Sequence, residues 1–490
     1  MISSNDWFVD AYASLGFRAS PFSVLALRAD EMGQRLMVGR DAQIKEVAQR
    51  LLNHGKITCL DGHIGVGKTS LVNVAAYECF QAFLHGRTTQ LLIPLDESFQ
   101  LTKDENVEAF CANVFRKVAN VLLARREHLV AYSLPGPGLQ LVDAWLNSPV
   151  IQHLNASAGV GITFGAHSGD STTGLGGNAS AGRSSQINTG SGFAQEGLEH
   201  LVRDWLNQIF SVQGNGGVVC VIDNLELLES GAAARRTLEA LRDRLFNVNG
   251  LRWVFCGANG VIHSLAASPR LASFLNTPIV EVGNIRSGFI KPLIEARLKE
   301  FLMDPAEVEK CLPLRLEDIE FLYQILNSNL RDLLGYVDSY CRHLVSIGKG
   351  DVHQDHKHAR FKKWLDGETT ESYSAISSRI SKDAWAVLDI AMSDTFKGTF
   401  GVGDYGSFNS NSKIALSQTS FPKWLRDLER LGLLTQSIDD GSGEDDGFKR
   451  DVFTVTAKGA LIHYARLIKN ETQSLLAPVE WLKRVHTRNA

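Results

Sequence analysis

Up to about residue 347, apolar residues fall in short blocks separated by longer stretches in which they recur every three or four positions. The blocks at 57–60, 90–95, 217–223, 253–257 and 278–282 are short and almost continuously apolar. Runs of that kind read as strands buried on both faces of a parallel sheet. Helical periodicity over 42–53, 107–126, 198–212 and 232–246 fills the intervals between them. Strands alternating with helices predict an α/β domain with a parallel sheet. From 290 to 347 the pattern is helical throughout, with Pro292 at a helix start. The last segment has its own arrangement: a helix over 383–392, a second over 421–431, strands at 433–436 and 451–456, and a helix over 457–468. Ser420 as N-cap, Pro422 in the first turn and Gly432 after the end delimit the second of these helices.

Three stretches depart from this pattern. Residues 135–149 form a break marked by Pro and Gly. Residues 158–193 are rich in Gly, Ser, Thr and Asn and interrupt the α/β domain, whose pattern resumes after them. Alternation of Val160, Ile162 and Phe164, with Gly176-Gly177-Asn178 to turn the chain, reads as a β-hairpin insertion. The composition equally describes a disordered linker. Residues 351–370 are polar and carry His353, His356 and His358, with no cysteine or acidic cluster to complete a metal site. They read as a solvated linker or helix end. The expected domains are therefore 1–288, a helical unit at 289–350, a linker at 351–380 and a C-terminal unit at 381–490.

Length and composition fit this division. At 490 residues the chain is long enough for about three domains. Hydrophobic content of 44% with 21% charged residues is that of a globular protein. No apolar run approaches the ~20 residues that span a bilayer, and the N-terminus has no secretory pattern, so no membrane partner is expected. Seven scattered cysteines without a C-x-x-C pair fit a reducing cytoplasm and argue against a cysteine zinc site. A net charge of −4 gives no global attraction to nucleic acid, so DNA binding would need a local basic patch.

The specific chemistry begins at Gly62-His63-Ile64-Gly65-Val66-Gly67-Lys68-Thr69, a complete G-x-x-x-x-G-K-[ST] loop between an expected strand and an expected helix that opens with Ser70. Glycines let backbone N–H groups turn inward around phosphate, and the helix N-terminus adds partial positive charge. Lys68 can reach the β- and γ-phosphates of a nucleoside triphosphate, and Thr69 can offer its hydroxyl to Mg²⁺. Asp223 ends an apolar strand, where a P-loop site places its second Mg²⁺ carboxylate. Hydrolysis needs a further group that positions or activates water. Asn224 can orient water but cannot take its proton, which makes Glu226 the candidate base. Asn259 follows the next strand and suits a γ-phosphate sensor. Arg331, on a later helix, suits a lid residue that reaches the phosphates. Arg270, with Arg286 as competitor, suits an arginine finger offered to a neighbouring subunit.

Together these residues resemble the AAA+ ATPases, in the branch of the origin-recognition proteins, with STAND-type signalling ATPases and transposition ATPases also similar. The resemblance spans about residues 15–345 apart from the glycine-rich insertion. Its motifs are Pro21-Phe22 and Val38-Gly39-Arg40 as the adenine-side entry, the loop from Gly62 to Thr69, Asp223 to Glu226, Asn259 as sensor 1 and Asn329-Leu330-Arg331 as sensor 2. It implies a P-loop αβα sandwich, a helical lid, ATP with Mg²⁺ at a subunit interface, and a homo-oligomer. The C-terminal pattern resembles a winged helix-turn-helix, which such ATPases carry at this end. In that fold Lys423, Arg426 and Arg430 would face DNA. Asp439 to Gly447 form an acidic tip that phosphates would repel, so docking of a separate effector or partner protein stands as the other reading. The chief departure is Asn224 where many relatives place glutamate.

Overall fold

The computed structural model describes residues 12–53, 55–102, 105–132, 191–211, 216–228, 231–258, 260–304, 311–348, 353–393, 395–396, 398–412, 415–439 and 450–473. The break at 135–149, nearly all of the expected insertion, Asn259 and most of the acidic tip lie outside them. After α1 (Glu31–Leu36) and α2 (Asp41–Leu52), β1 (Thr58–Asp61) leads into α3 (Lys68–Leu84). Next come β2 (Leu91–Pro94), β3 (Phe99–Gln100), α4 (Val107–Ala124), α5 (Arg126–Ala131) and α6 (Ser191–Ser211). They are followed by β4 (Gly216–Asp223), α7 (Gly231–Leu241), β5 (Leu251–Gly257), α8 (Val261–Ala266) and β6 (Val280–Glu281).

The six strands form one sheet in the order β2-β4-β5-β1-β6, with β3 also beside β4, and every pairing is parallel. Their period-2 alternation feeds two apolar layers, one on each face of the sheet, which together make the first core. Leu60, Leu92, Val219, Val221, Val254 and Cys256 pack under α2 and α3. Their sequence neighbours Cys59, Ile93, Val218, Cys220, Trp253 and Phe255 pack under α4, α6 and α7. With one apolar layer on each face, the unit is the expected P-loop αβα sandwich. The order places β5 between β1 and β4, so the loop after β1 and the acid ending β4 both open at the same, C-terminal edge of the sheet.

A second core is built by α9 (Ile290–Phe301), α10 (Leu316–Ile325) and α11 (Leu330–Ser346). The N-terminal segment joins it rather than the sheet, burying Tyr12, Leu15, Phe17 and Phe22 there. Arg18 N donates to Phe301 O at 2.8 Å and Met303 N to Gly16 O at 2.9 Å, stitching the segment to the end of α9. The polar stretch expected as a linker is α12 (Gln354–Ile376), a 23-residue helix. Its mean pattern is polar, yet Phe361 and Leu365 are each 1% exposed against Tyr340 and its neighbours. Phe361 and Leu365, with Trp364 beside them and Tyr373 and Ile376 packed on the C-terminal unit, dock it, a signal too sparse along 23 residues to dominate its hydropathy.

The C-terminal unit runs α13 (Lys382–Ala391), β7 (Thr399–Gly401), α14 (Tyr405–Asn411), α15 (Phe421–Arg430), β8 (Leu434–Asp439), β9 (Arg450–Val455) and α16 (Ala457–Gln473). The three strands pair antiparallel in the order β7-β9-β8. The sequence reading lacked β7 and α14, which are short and Gly/Ser/Asn-rich. Phe400 and Phe408 nevertheless anchor them in a third core with Trp385, Phe421 and Leu425. One helix belongs to two cores: α16 turns Ala457, Leu461 and Tyr464 toward the lid, and Ala460 and Ile462 toward the C-terminal unit.

Replacing Phe361 by Ala should therefore lower unfolding stability by about 3–5 kcal/mol, the cost of emptying an aromatic core position. Urea melts followed by circular dichroism would measure it. A midpoint equal to that of the wild type would mean α12 is a free connector after all.

Candidate functional site

The loop after β1 is shaped by its glycines. Gly65 and Gly67 have φ of 87° and 93°, a left-handed backbone that side chains disfavour, and Gly67 ends the loop as N-cap of α3. Gly67 offers no side chain to cap this helix. Among the described residues the first backbone donors of α3 thus have no side-chain acceptor, and they face the cleft, which is the arrangement that binds anions. Gly62 is needed for a different reason: a Cβ there would lie 2.3 Å from the Val282 carbonyl oxygen.

Side chains of α3 and β4 close the floor. Lys68, 5% exposed, donates Nζ to the carbonyls of Gly62 at 2.8 Å and His63 at 3.1 Å, folding back over its own loop. Thr69 donates its hydroxyl to Oδ2 of Asp223. The other Asp223 oxygen accepts from Asn224 N at 2.9 Å. Asn224 itself is left-handed, with φ of 56°, and it lines the cleft beside Asp223. The donor set fits a magnesium nucleotide: a hydroxyl and a carboxylate already meet where the cation would sit, and a lysine ammonium stands beside uncapped N–H groups.

One wall is the segment Ser23, Val24, Leu25 and Ala26. Ser70 Oγ accepts from Leu27 N at 3.0 Å and Asn73 Nδ2 donates to Leu27 O at 2.8 Å, tying the wall to α3. Arg297, on α9, holds its other end through Nη1 to the carbonyls of Pro21 and Ser23, both at 3.1 Å. Burial pulls the Arg297 guanidinium down to about 10. Neither this wall nor Arg297 was identified as functional from the sequence. The available signal was an arginine set among the apolar positions Leu293, Ile294 and Leu298 of one helix face.

The opposite wall is the start of α11. Leu330, Arg331 and Leu334 line the cleft. Asn329 caps α11 by accepting from Asp332 N at 3.1 Å, and its Nδ2 lies 3.5 Å from Ile64 O in the loop. A Cβ on Gly65 would come within 3.0 Å of both Asn329 Oδ1 and the Arg331 Cβ, so lid and loop are in close contact.

Other sequence candidates lie further back. Val38, Gly39 and Arg40 lie outside the stretch of cleft walled by Ser23–Ala26 and the start of α11. Arg40 is 5% exposed and donates Nη2 to the carbonyls of Val66 at 3.0 Å and Gly283 at 2.7 Å, bracing the loop from behind. Glu226 sits in a single turn, Leu225–Leu228, with Oε2 buried and without a hydrogen-bond partner among the described residues. Arg270 is exposed on the surface, 3.9 Å from Glu239. On α15, Lys423, Arg426 and Arg430 are exposed on the face opposite buried Phe421, Trp424, Leu425 and Leu428. Arg430 is paired with Asp427. Among the described residues no helix is long and apolar enough to cross a membrane.

No protein-family model matches the chain, and no curated protein matches it. Solved structures do align with it. The ORC1 protein of Aeropyrum pernix in complex with DNA aligns over 94% of this chain and 99% of its own, at 14% identity and a TM-score of 0.41. The ADP form of the ORC2 protein of the same organism aligns over 94% and 100%, at 12% identity and a TM-score of 0.44. The Walker-type ATPase PABY2304 of Pyrococcus abyssi aligns over 91% and 99%, at 13% identity and a TM-score of 0.41.

Proposed function

We propose that the chain is an ATP-binding switch of the AAA+ type whose C-terminal unit engages DNA in a nucleotide-dependent manner. The observation that carries this reading is the continuity from loop to C-terminal unit through one turn. Asn327 and Ser328, both left-handed with φ of 52° and 59°, join α10 to α11. Asn327 Nδ2 donates to Val455 O at 2.9 Å, at the end of β9. Two residues later Asn329 meets the phosphate loop, and Arg331 enters the cleft. A ligand that draws Arg331 inward would move the anchor of β9 with it.

Bound ATP with Mg²⁺ would supply the terminal phosphoryl group and its charge. Lys68 would exchange its two loop carbonyls for phosphate oxygens, and Thr69 and Asp223 would hold the cation. Val24 and Leu25, 44% and 79% exposed, would gain cover from the base. Asn224 lines the cleft whereas one Glu226 oxygen is buried behind it. We therefore favour Asn224 as the residue that orients water, with slow turnover because an amide takes no proton. Arg331 would read the terminal phosphate, and Arg270, exposed as a finger must be, would serve a neighbouring copy.

The C-terminal unit supports a winged helix-turn-helix reading by its helix–strand–helix–helix–hairpin–helix order. Lys423, Arg426 and Arg430 then lie on the outward face of the helix that enters a major groove. A second reading, a STAND-like signalling switch that docks a separate effector, draws on the pairing of Arg430 with Asp427, which diverts one of the three cations.

Calorimetry should give saturable Mg-ATP binding that Lys68→Ala weakens by about 10- to 100-fold, as expected for a lost charge-assisted contact. Unchanged affinity would remove the nucleotide reading. In ATPase assays Asn224→Ala should lose more turnover than Glu226→Gln; the reverse order would restore Glu226 as base. Lys423, Arg426 and Arg430 changed together to Ala should reduce duplex affinity and lower its salt slope by about 2–3. If duplex binding is absent and a protein trigger drives ATP-dependent oligomerisation, the signalling reading holds. Where DNA does bind, Asn327→Ala should leave its affinity indifferent to nucleotide.

A further inference from the structure

Behind the phosphate loop lies a second cluster that the nucleotide reading does not use. Asp61 ends β1, and Glu281 ends β6 directly opposite it in the parallel register. His263 projects from α8 over the same pair, its Nε2 2.9 Å from Glu281 Oε1. One ligand atom from each residue lies within 4.8 Å of the other two. His263 and Glu281 keep side-chain exposures of 40% and 62%, so solvent reaches the cluster from outside. Asp61 is different: it is 8% exposed, and its Oδ1 is buried without a hydrogen-bond partner among the described residues.

A carboxylate taken out of water without a partner is costly unless a cation or hydrogen bond compensates it. Here burial, reinforced by Glu281 and with Glu226 also contributing, pushes the Asp61 carboxyl up to about 6, although His263 and Lys68 act in the other direction. Lys68 does not fill the gap, because its Nζ donates to the carbonyls of Gly62 and His63.

We propose that Asp61, His263 and Glu281 form a binding site for a divalent transition metal, with Zn²⁺ as the fitting ion. Two carboxylates and one imidazole are a zinc donor set, and three protein ligands leave the fourth position to water. Zinc bond lengths of about 2.0–2.2 Å set tetrahedral ligands roughly 3.4 Å apart. The pair at 2.9 Å would open by a few tenths of an ångström, and separations of up to 4.8 Å would close by up to about 1.4 Å. The ion would satisfy the buried Asp61 oxygen and fasten α8 to β1 and β6, immediately before Gly62. The three ligands are spread over 221 positions of sequence, so no spacing motif announces them.

The test uses the full chain stripped with a chelator and titrated with Zn²⁺ by calorimetry without nucleotide, with Co²⁺ as a spectroscopic probe of coordination. One equivalent should bind, and the Co²⁺ form should show a tetrahedral ligand-field band. His263→Ala and, separately, the exposed Glu281→Gln should each weaken uptake at least about tenfold and abolish the band. Lys68→Ala should leave uptake intact, which separates this site from the nucleotide site. So should His353→Ala/His356→Ala and Cys311→Ser, which remove accessible imidazole and thiol ligands elsewhere on the chain. Uptake unaffected by His263→Ala and Glu281→Gln in folded protein, or lost only in the His353/His356 or Cys311 variants, would overturn the proposal. Absence of saturable uptake in the wild type would overturn it equally.

Discussion

The hydrogen bond from the Thr69 hydroxyl to Asp223 is the contact on which the rest of the site depends. Thr69 lies in the first turn of α3, which follows β1, Asp223 ends β4, and β5 lies between those two strands in the sheet. Parallel strands bring their C-terminal ends to one edge, so these two groups can meet only there. Their meeting fixes the helix N-terminus over that edge. It also leaves the loop backbone between them as a concave row of donors. Arg40 braces this row from behind through the Val66 and Gly283 carbonyls, which keeps it from collapsing into the sheet.

Around that fixed point the molecule is arranged as three cores joined by few polar connections. The N-terminal segment packs with the lid while its next residues, Ser23 to Ala26, wall the cleft. Arg297 grips this crossing from the lid side, and Ser70 and Asn73 grip it from the sheet side. The C-terminal unit is held to the lid by shared burial of α16 and by Asn327 on Val455. Polar contacts of defined geometry tolerate displacement poorly, so in the proposed switch a motion of the lid would be passed on rather than absorbed. That is a physical basis for a switch whose input and output lie on different cores.

Much of this was legible in the chain. Continuous apolar runs such as 217–223 could only be strands covered on both sides, and the loop motif fixed which end of β1 carried chemistry. The helix after Ser420 was equally plain, because Pro422 in its first turn and left-handed Gly432 after its end bracket it, although the Ser420 side chain makes no cap hydrogen bond. What escaped the sequence was tertiary in origin. Residues 354–376 read as polar because a helix docking through Phe361 and Leu365 needs few apolar positions. β7 and α14 hid in a Gly/Ser/Asn-rich stretch whose order comes from Phe400 and Phe408 packing on distant residues. Val38-Gly39-Arg40 entered as the adenine-side entry that the resemblance implies, and the contact of Arg40 with the Val66 and Gly283 carbonyls is one that only the fold could dictate. Asp61 gave no warning at all, since its partners arrive from α8 and β6.

The central claim is that a magnesium triphosphate in the loop is sensed by the lid and felt at the C-terminal hairpin. Hydrogen–deuterium exchange on the full chain, with and without Mg²⁺ and a non-hydrolysable ATP analogue, tests it most directly. The account requires slower exchange at 62–70, at 327–334 and at 450–457 together when the analogue is present. Protection confined to 62–70, or none anywhere, would contradict it.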